Sequence, residues 1–180
     1  MSVSRIRNNL QLIDQKRCTL LDELETLDVD RLTFKPTPDS WSILQVVQHM
    51  VRVERAILQN LPEPSQLVGR KRGLRARLTY PLVVLVLKQP LRVKVPSRVM
   101  LPDGKTSFIE LRRQWDESQR WLKSYVETLA PDKLNEGVFR HPVIGALTVT
   151  QAVALCLLHL ERHLRQIERL QSLLNASQSH

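Results

Sequence analysis

Two histidines four residues apart, His159 and His163, are the residues whose type and spacing point most directly to chemistry. Residues separated by four share one face of an α-helix, so their imidazoles project together. Stepping by threes and fours gives Ala152, Cys156, His159, His163, Ile167, Leu170 and Leu174, an apolar stripe that the pair interrupts. His49 passes the same test, in the stripe Ser42, Val46, His49, Val53 and Ile57. Three imidazoles inside one core without partners leave costly unsatisfied polar groups, whereas a single cation satisfies all three. Neutral imidazoles suit zinc, nickel, iron or copper. Three protein ligands with a fourth position open describe a catalytic site, where an ion can activate water or a thiol or polarise an electrophile. The spacing is not H-E-x-x-H, and Glu161 is expected to face solvent, so metalloprotease chemistry is not indicated. On spacing alone, a surface or hydrogen-bonded core role for the pair stays open.

Other residues carry weaker signals, each beside a plainer reading. Glu54, the nearest acid to His49 on its stretch, is a candidate base or an ordinary surface charge. Arg162 and Gln166 flank the pair and are candidates for orienting a ligand histidine or a substrate. Cys156, three residues before His159, is a fourth ligand or redox-sensitive thiol on one reading and core packing on the favoured one; Cys18 reads as core. His141 reads as a solvated loop histidine rather than part of a pocket mouth, and Gly145 as a turn residue. Trp41 is expected to anchor the start of the second helix, and His180 is discounted as terminal.

Four amphipathic stretches must position the histidines. The seam Ile6, Leu10, Ile13, Leu20, Leu24 and Leu27 predicts a helix over about 4–27. Pro36 and Pro38 interrupt, and Asp39 or Ser40 is read as the N-cap of a second helix over about 41–60. Ser107 and Glu110 form a capping-box pattern opening a third, about 107–129, with the seam Phe108, Leu111, Trp115, Leu122, Tyr125 and Leu129. Thr148 and Gln151 open a fourth, about 148–174, and the polar tail from Asn175 is expected to fray. Between the second and third lies a long connection, 61–106, with a short helix expected near Leu74 to Lys88. The short first and long second connections predict an all-α four-helix bundle with a crossover rather than a simple up-down-up-down order.

Bulk properties agree. The 180 residues suit one domain, 1–180, with 42% hydrophobic and 25% charged residues. Five glycines and 4% aromatics disfavour a β-sandwich. Two distant cysteines suggest no disulfide framework, and with no signal-peptide pattern a cytoplasmic location is the simplest expectation. The longest apolar run, Pro81 to Leu87, is far short of a membrane span. The net charge of +9 is local. Arg70, Lys71, Arg72, Arg75, Arg77, Lys88, Arg92, Lys94 and Arg98 fall between Ser65 and Pro102, where no acid occurs. Elsewhere acids and bases balance. The favoured reading makes this segment a pocket wall that draws in an anionic substrate. The rival is a non-enzymatic binding module, in which the 70–98 segment docks on nucleic acid or anionic membrane; no aromatic ladder accompanies it.

Three passages together resemble the DinB/YfiT-like superfamily of bacterial four-helix bundles. They are Pro36-Thr-Pro-Asp-Ser-Trp41-Ser42-Ile-Leu-Gln-Val-Val-Gln-His49, His141-Pro142-Val-Ile-Gly145-Ala-Leu147-Thr148, and His159-Leu-Glu-Arg162-His163-Leu-Arg-Gln166-Ile167. Pro96 through Leu111 also looks like that family's approach to its third helix. The resemblance implies an up-down-down-up bundle with the crossover between helices 2 and 3. It also implies a divalent metal, zinc or nickel foremost and then iron, on His49, His159 and His163. Characterised members are thiol S-transferases using bacillithiol or mycothiol, some relatives are described as metal-dependent hydrolases, and homodimers are common. The expectation is therefore a low-molecular-weight-thiol S-transferase acting on an electrophile, with metal-dependent hydrolysis as the alternative on the same site. The strongly basic crossover departs from many members, which leaves the particular thiol and substrate open.

Overall fold

Each of the four amphipathic stretches forms a helix because its apolar residues recur every three or four positions between capping and stop signals. The computed structural model describes residues 3–59, 61, 63, 73–89, 98–131, 133–135, 137–141 and 143–178. The long helices are α1 (Val3–Glu25), α3 (Ile43–Leu58), α5 (Phe108–Thr128) and α6 (Val149–Gln178). Between them lie a single short turn of helix, α2 (Val29–Thr33), and the crossover helix α4 (Leu74–Lys88), at the bounds expected. A hairpin not anticipated from sequence, β1 (Gly137–His141) with β2 (Gly145–Thr148), runs straight into α6. Gly145, at φ +91°, makes its turn, a conformation that favours glycine. The basic residues at 70–72, 92 and 94, and His180, lie outside the described residues.

The capping signals explain where the helices begin. Ser40 is not the cap of α3, because its hydroxyl accepts from Thr37 N at 2.8 Å and donates to Thr37 O at 2.7 Å, closing a turn. Ser42 caps instead, in a reciprocal pair with Gln45: Gln45 N donates to Ser42 Oγ at 3.3 Å and Ser42 N to Gln45 Oε1 at 3.1 Å. Thr148 and Gln151 form the same reciprocal pair at the start of α6. Only half of the expected box forms at Ser107, because the Glu110 carboxylate accepts from Arg113 and Gln114 instead. The C-terminal tail stays helical through Gln178; Asn175 accepts from Arg31 at 2.8 Å, tying the end of α6 to α2.

Cross-helix contacts fix the direction of each helix. Lys16 of α1 pairs with Glu161 of α6, and further along Arg31 meets Asn175, so α1 and α6 run parallel. Arg17 reaches Asp116 while Asp22 and Glu25 meet Arg112, so α5 runs against α1. Gln48 bonds Thr106, just before α5, and Glu54 bonds Trp115 and Gln119, so α3 and α5 run parallel. The order is up-down-down-up. Two parallel neighbours cannot be joined by a tight turn, so the chain must travel back along the bundle. At 1.5 Å per residue, 15-residue α4 covers about 22 Å of that return, packed on α6.

The core lies where the four seams meet. Ile6, Leu21, Leu24, Ile43, Val46, Leu111, Trp115, Leu122 and Ile167 are all buried. Arg17 is also buried in the α1 seam, with its guanidinium held by Asp14 and Asp116. Among the described residues no helix is long and apolar enough to cross a membrane.

The crossover rejoins the bundle through Gln48, 1% exposed. Its Oε1 accepts from Asp103 N at 3.0 Å and Gly104 N at 2.8 Å, and its Nε2 donates to Asp103 Oδ1 at 2.8 Å and Thr106 Oγ1 at 3.0 Å. Arg52 adds bonds to Leu101 O and Asp103. Gly104 sits at φ +72°, so its place in this turn is conformational. Substituting Gln48→Leu removes the partner of two part-buried backbone amides, and urea denaturation should show a loss on the order of 1–3 kcal/mol.

Candidate metal centre

The phase of α3, set by its Ser42 cap, places His49 in the buried band shared by Val46 and Met50, at 5% exposure. The i,i+4 spacing on α6 places His163, 6% exposed, and half-buried His159 opposite it. Ring centroids lie 5.4 Å apart for His49 and His159, 5.0 Å for His49 and His163, and 4.5 Å for His159 and His163. One nitrogen from each ring falls within 4.8 Å of the others. No other group of three histidine, cysteine or carboxylate side chains converges this way among the described residues.

Hydrogen bonds on the outer edges of the rings aim the inner nitrogens. His49 Nδ1 lies 2.8 Å from Met100 O, a backbone acceptor at the end of the crossover. His163 Nδ1 lies 2.9 Å from Gln166 Oε1. Met100 O can only accept, which puts the His49 proton on Nδ1 and leaves Nε2 bare; Gln166 imposes the same tautomer on His163. His163 Nε2 then faces His159 Nε2 at 3.1 Å. Without a cation that contact needs a proton on one of the two nitrogens. Two nitrogens about 2.05 Å from one zinc ion, at angles between 90° and 109°, lie about 2.9–3.3 Å apart. The pair fits that spacing. Burial lowers the pKa of all three rings, His163 to about 3, and the neighbouring rings add to the effect on His159 and His163. The imidazoles are therefore neutral at neutral pH, the state a metal requires. Trp41 packs on the bundle core and on His49, its ring centroid 5.0 Å away.

A cavity of about 130 Å³ opens beside the centre, with His159 in its wall. Met50, Val53 and Ile57 of α3, Val83 and Leu87 of α4, and Leu155 of α6 make it apolar. Glu54 lies in this wall and not on the outer surface. Its carboxyl oxygens accept from Trp115 Nε1 at 3.0 Å and Gln119 Nε2 at 2.7 Å. Burial outweighs those bonds and raises its pKa to about 7. The phase could have shown this, since Met50, Glu54 and Ile57 are spaced by four and three.

The other expectations divide. Gln166 orients His163, whereas Arg162 reaches away to Val86 O at 3.0 Å and Gln89 O at 2.6 Å, binding the end of α4 to α6. Cys156 lines the cavity without joining the histidine group, and burial pushes its thiol up to about 12. His141 is not a solvated loop residue: it ends β1, lines the cavity, and accepts at Nδ1 from Val143 N and Ile144 N, both at 3.2 Å. The crossover does supply a pocket wall, but with Val83 and Leu87; among the described residues no Lys or Arg lines it. Glu161 lies outside the histidine group and pairs with Lys16 at 3.5 Å.

Comparisons with known proteins bear on the family and the fold. The sequence pattern of the DinB superfamily matches residues 12–167. A Bacillus subtilis (strain 168) protein, YuaE, described as uncharacterized, is 25% identical over 161 residues, covering 89% of this chain and 96% of its own. The fold is similar to that of YfiT from Bacillus subtilis, described as a probable metal-dependent hydrolase with an unusual four-helix bundle topology. The TM-score is 0.63 at 19% identity, over 97% of this chain and 90% of that one.

The raised pKa of Glu54 has a measurable sign. The folded chain keeps a proton that the unfolded chain, with an ordinary carboxyl near 4.5, has released, so stability falls as pH rises from there to about 7. Glu54→Gln should remove this slope, since Gln119 can turn its amide to suit. In urea denaturation of metal-free protein, the variant should gain on the order of 2–3 kcal/mol relative to the parent between about pH 5 and about pH 8.

Proposed function

The chain belongs to the DinB superfamily, and we propose that it is a metal-dependent enzyme, a low-molecular-weight-thiol S-transferase, whose His49, His159 and His163 hold one divalent transition metal. The observation that carries the reading is the 3.1 Å approach of His163 Nε2 to His159 Nε2, a spacing two nitrogens on one cation would have, with the outer nitrogens of His49 and His163 already engaged by Met100 O and Gln166. Three neutral imidazoles suit zinc, nickel, iron or copper, and the family resemblance puts zinc or nickel foremost, then iron. When bound, such an ion supplies Lewis acidity that lowers the pKa of a thiol or water beside it.

The chain's own residues do the rest. Glu54 shares the cavity wall with His159, and near neutral pH it can take the proton that the thiol gives up. The sulfur then attacks the electrophile, and the departing group takes that proton from Glu54. The apolar wall holds the electrophile and excludes bulk water, which favours thiol over water as the nucleophile: an ordered water wants two to four polar partners. Hydrolysis at the same centre is the second reading, favoured by the description of YfiT. A small thiol and an electrophile are thus the expected partners.

Elemental analysis of the purified protein should find about one ion per chain, lost in His159→Ala and His163→Ala with helical content unchanged. Gln166→Leu should weaken zinc binding by roughly 10- to 100-fold while keeping the same three ligands. Conjugation of monochlorobimane to added cysteine should require the loaded protein. Cleavage of 4-nitrophenyl acetate without any thiol would move the assignment to hydrolysis. Protein that neither carries nor takes up zinc, nickel or iron sinks both readings.

A further inference from the structure

The cavity beside the histidines is built from several separate elements, and its polar groups are few and fixed. Glu54 is held by Trp115 and Gln119. His141 accepts at Nδ1 from two backbone amides of the hairpin turn, which places its proton on Nε2. Among the described residues no acceptor is bonded to that Nε2–H, although the ring forms part of the wall. A ring N–H in the wall, with no bonded acceptor among the described residues, can serve as a recognition element.

Resting on the metal-dependent reading above, we propose that this cavity binds the apolar body of a neutral, carbonyl-bearing electrophile, with His141 Nε2–H donating to its oxygen. Size sets the first limit. At about 130 Å³ the space is close to that of an engineered cavity of about 150 Å³ that takes up benzene. It therefore suits a phenyl ring or a short branched alkyl group. Charge sets the second limit. Among the described residues the wall holds no Lys or Arg, and its one carboxyl is Glu54, so away from the histidines an anionic body would lose its hydration and gain no counter-charge. Among the described residues the crossover turns Val83 and Leu87 of α4 toward the cavity, and none of its basic side chains. The third limit is polarity. A pure hydrocarbon would leave His141 Nε2–H without an acceptor, whereas a ketone, ester or thioester oxygen satisfies it. His141 is a positioning and polarising residue for the carbonyl that the nucleophile attacks.

Three probes of similar size separate these limits: acetophenone, toluene and benzoate. Binding to metal-free protein is followed through the indole N–H cross-peak of Trp115, which lies in the wall and bonds Glu54. Acetophenone should bind at least tenfold more tightly than benzoate and several-fold more tightly than toluene. His141→Asn keeps a side-chain oxygen for the turn amides and withdraws the ring N–H from the cavity. It should erase the preference for acetophenone over toluene while leaving toluene binding unchanged. Val83→Phe, on the crossover helix and clear of the histidines, should weaken all three probes without changing the metal content.

Benzoate binding as tight as acetophenone overturns the proposal. So does a preference for acetophenone that survives in His141→Asn, or failure of acetophenone to bind. Each of these outcomes leaves zinc stoichiometry, measured separately, as the test of the metal reading. Loss of metal binding with intact acetophenone selectivity would overturn that reading and keep the cavity assignment.

Discussion

An imidazole in a protein interior cannot be left with its nitrogens unanswered, and three of them share one small space here. That constraint organises what surrounds them. Met100 O, Gln166 Oε1 and the close approach of His159 to His163 answer particular nitrogens and orient particular lone pairs. Two of the rings come from one helix at a fixed spacing, so the geometry of α6 alone sets their relation. The third ring arrives on α3, and its angle depends on a carbonyl at the far end of the crossover. The centre is thus also a joint, at which α3, α6 and the returning chain meet.

The bundle's topology follows from the same meeting. Parallel α3 and α5 require a return path, and that path ends in the segment around Met100 to Thr106, pinned by Gln48 and Arg52. Met100 is positioned for His49 because its neighbours are bonded to the residues flanking His49 on α3. Arg162, one residue before His163, fastens the middle of the return by bonding carbonyls of α4 and the residue after it. Residues close to the clustered histidines therefore hold the crossover at its middle and at its far end.

Much of this arrangement could be read from the sequence, and the rest was hidden for physical reasons. The four seams, the crossover helix and the three histidines all express a helical period, which is local information. Met100 could not be found because its contribution is a backbone carbonyl, identical in every residue type. Glu54 looked like a surface charge because carboxyls usually are; only its phase with Met50 and Ile57 marked it as inward, and a strong compositional expectation hid that phase. The hairpin was missed although the β-branched residues around Gly145 carry a short strand signal, because four-residue patterns are weak beside a 30-residue helix. His141 went with it: a residue assigned to a loop is assigned to water. Adjacency to His163 makes Arg162 a candidate for orienting a histidine or a substrate, but its long side chain spans to another helix.

The crossover also bears on how such a protein can diversify. The histidines sit on α3 and α6, while Val83 and Leu87 of α4 complete the chamber from outside the bundle seams. Part of the chamber is thereby written in a different stretch of chain from the histidines. Mutations drifting through α4 can reshape the chamber without touching the histidines. Relatives sharing the same three histidines thus need not share a substrate, and the histidines alone are a poor guide to biological role.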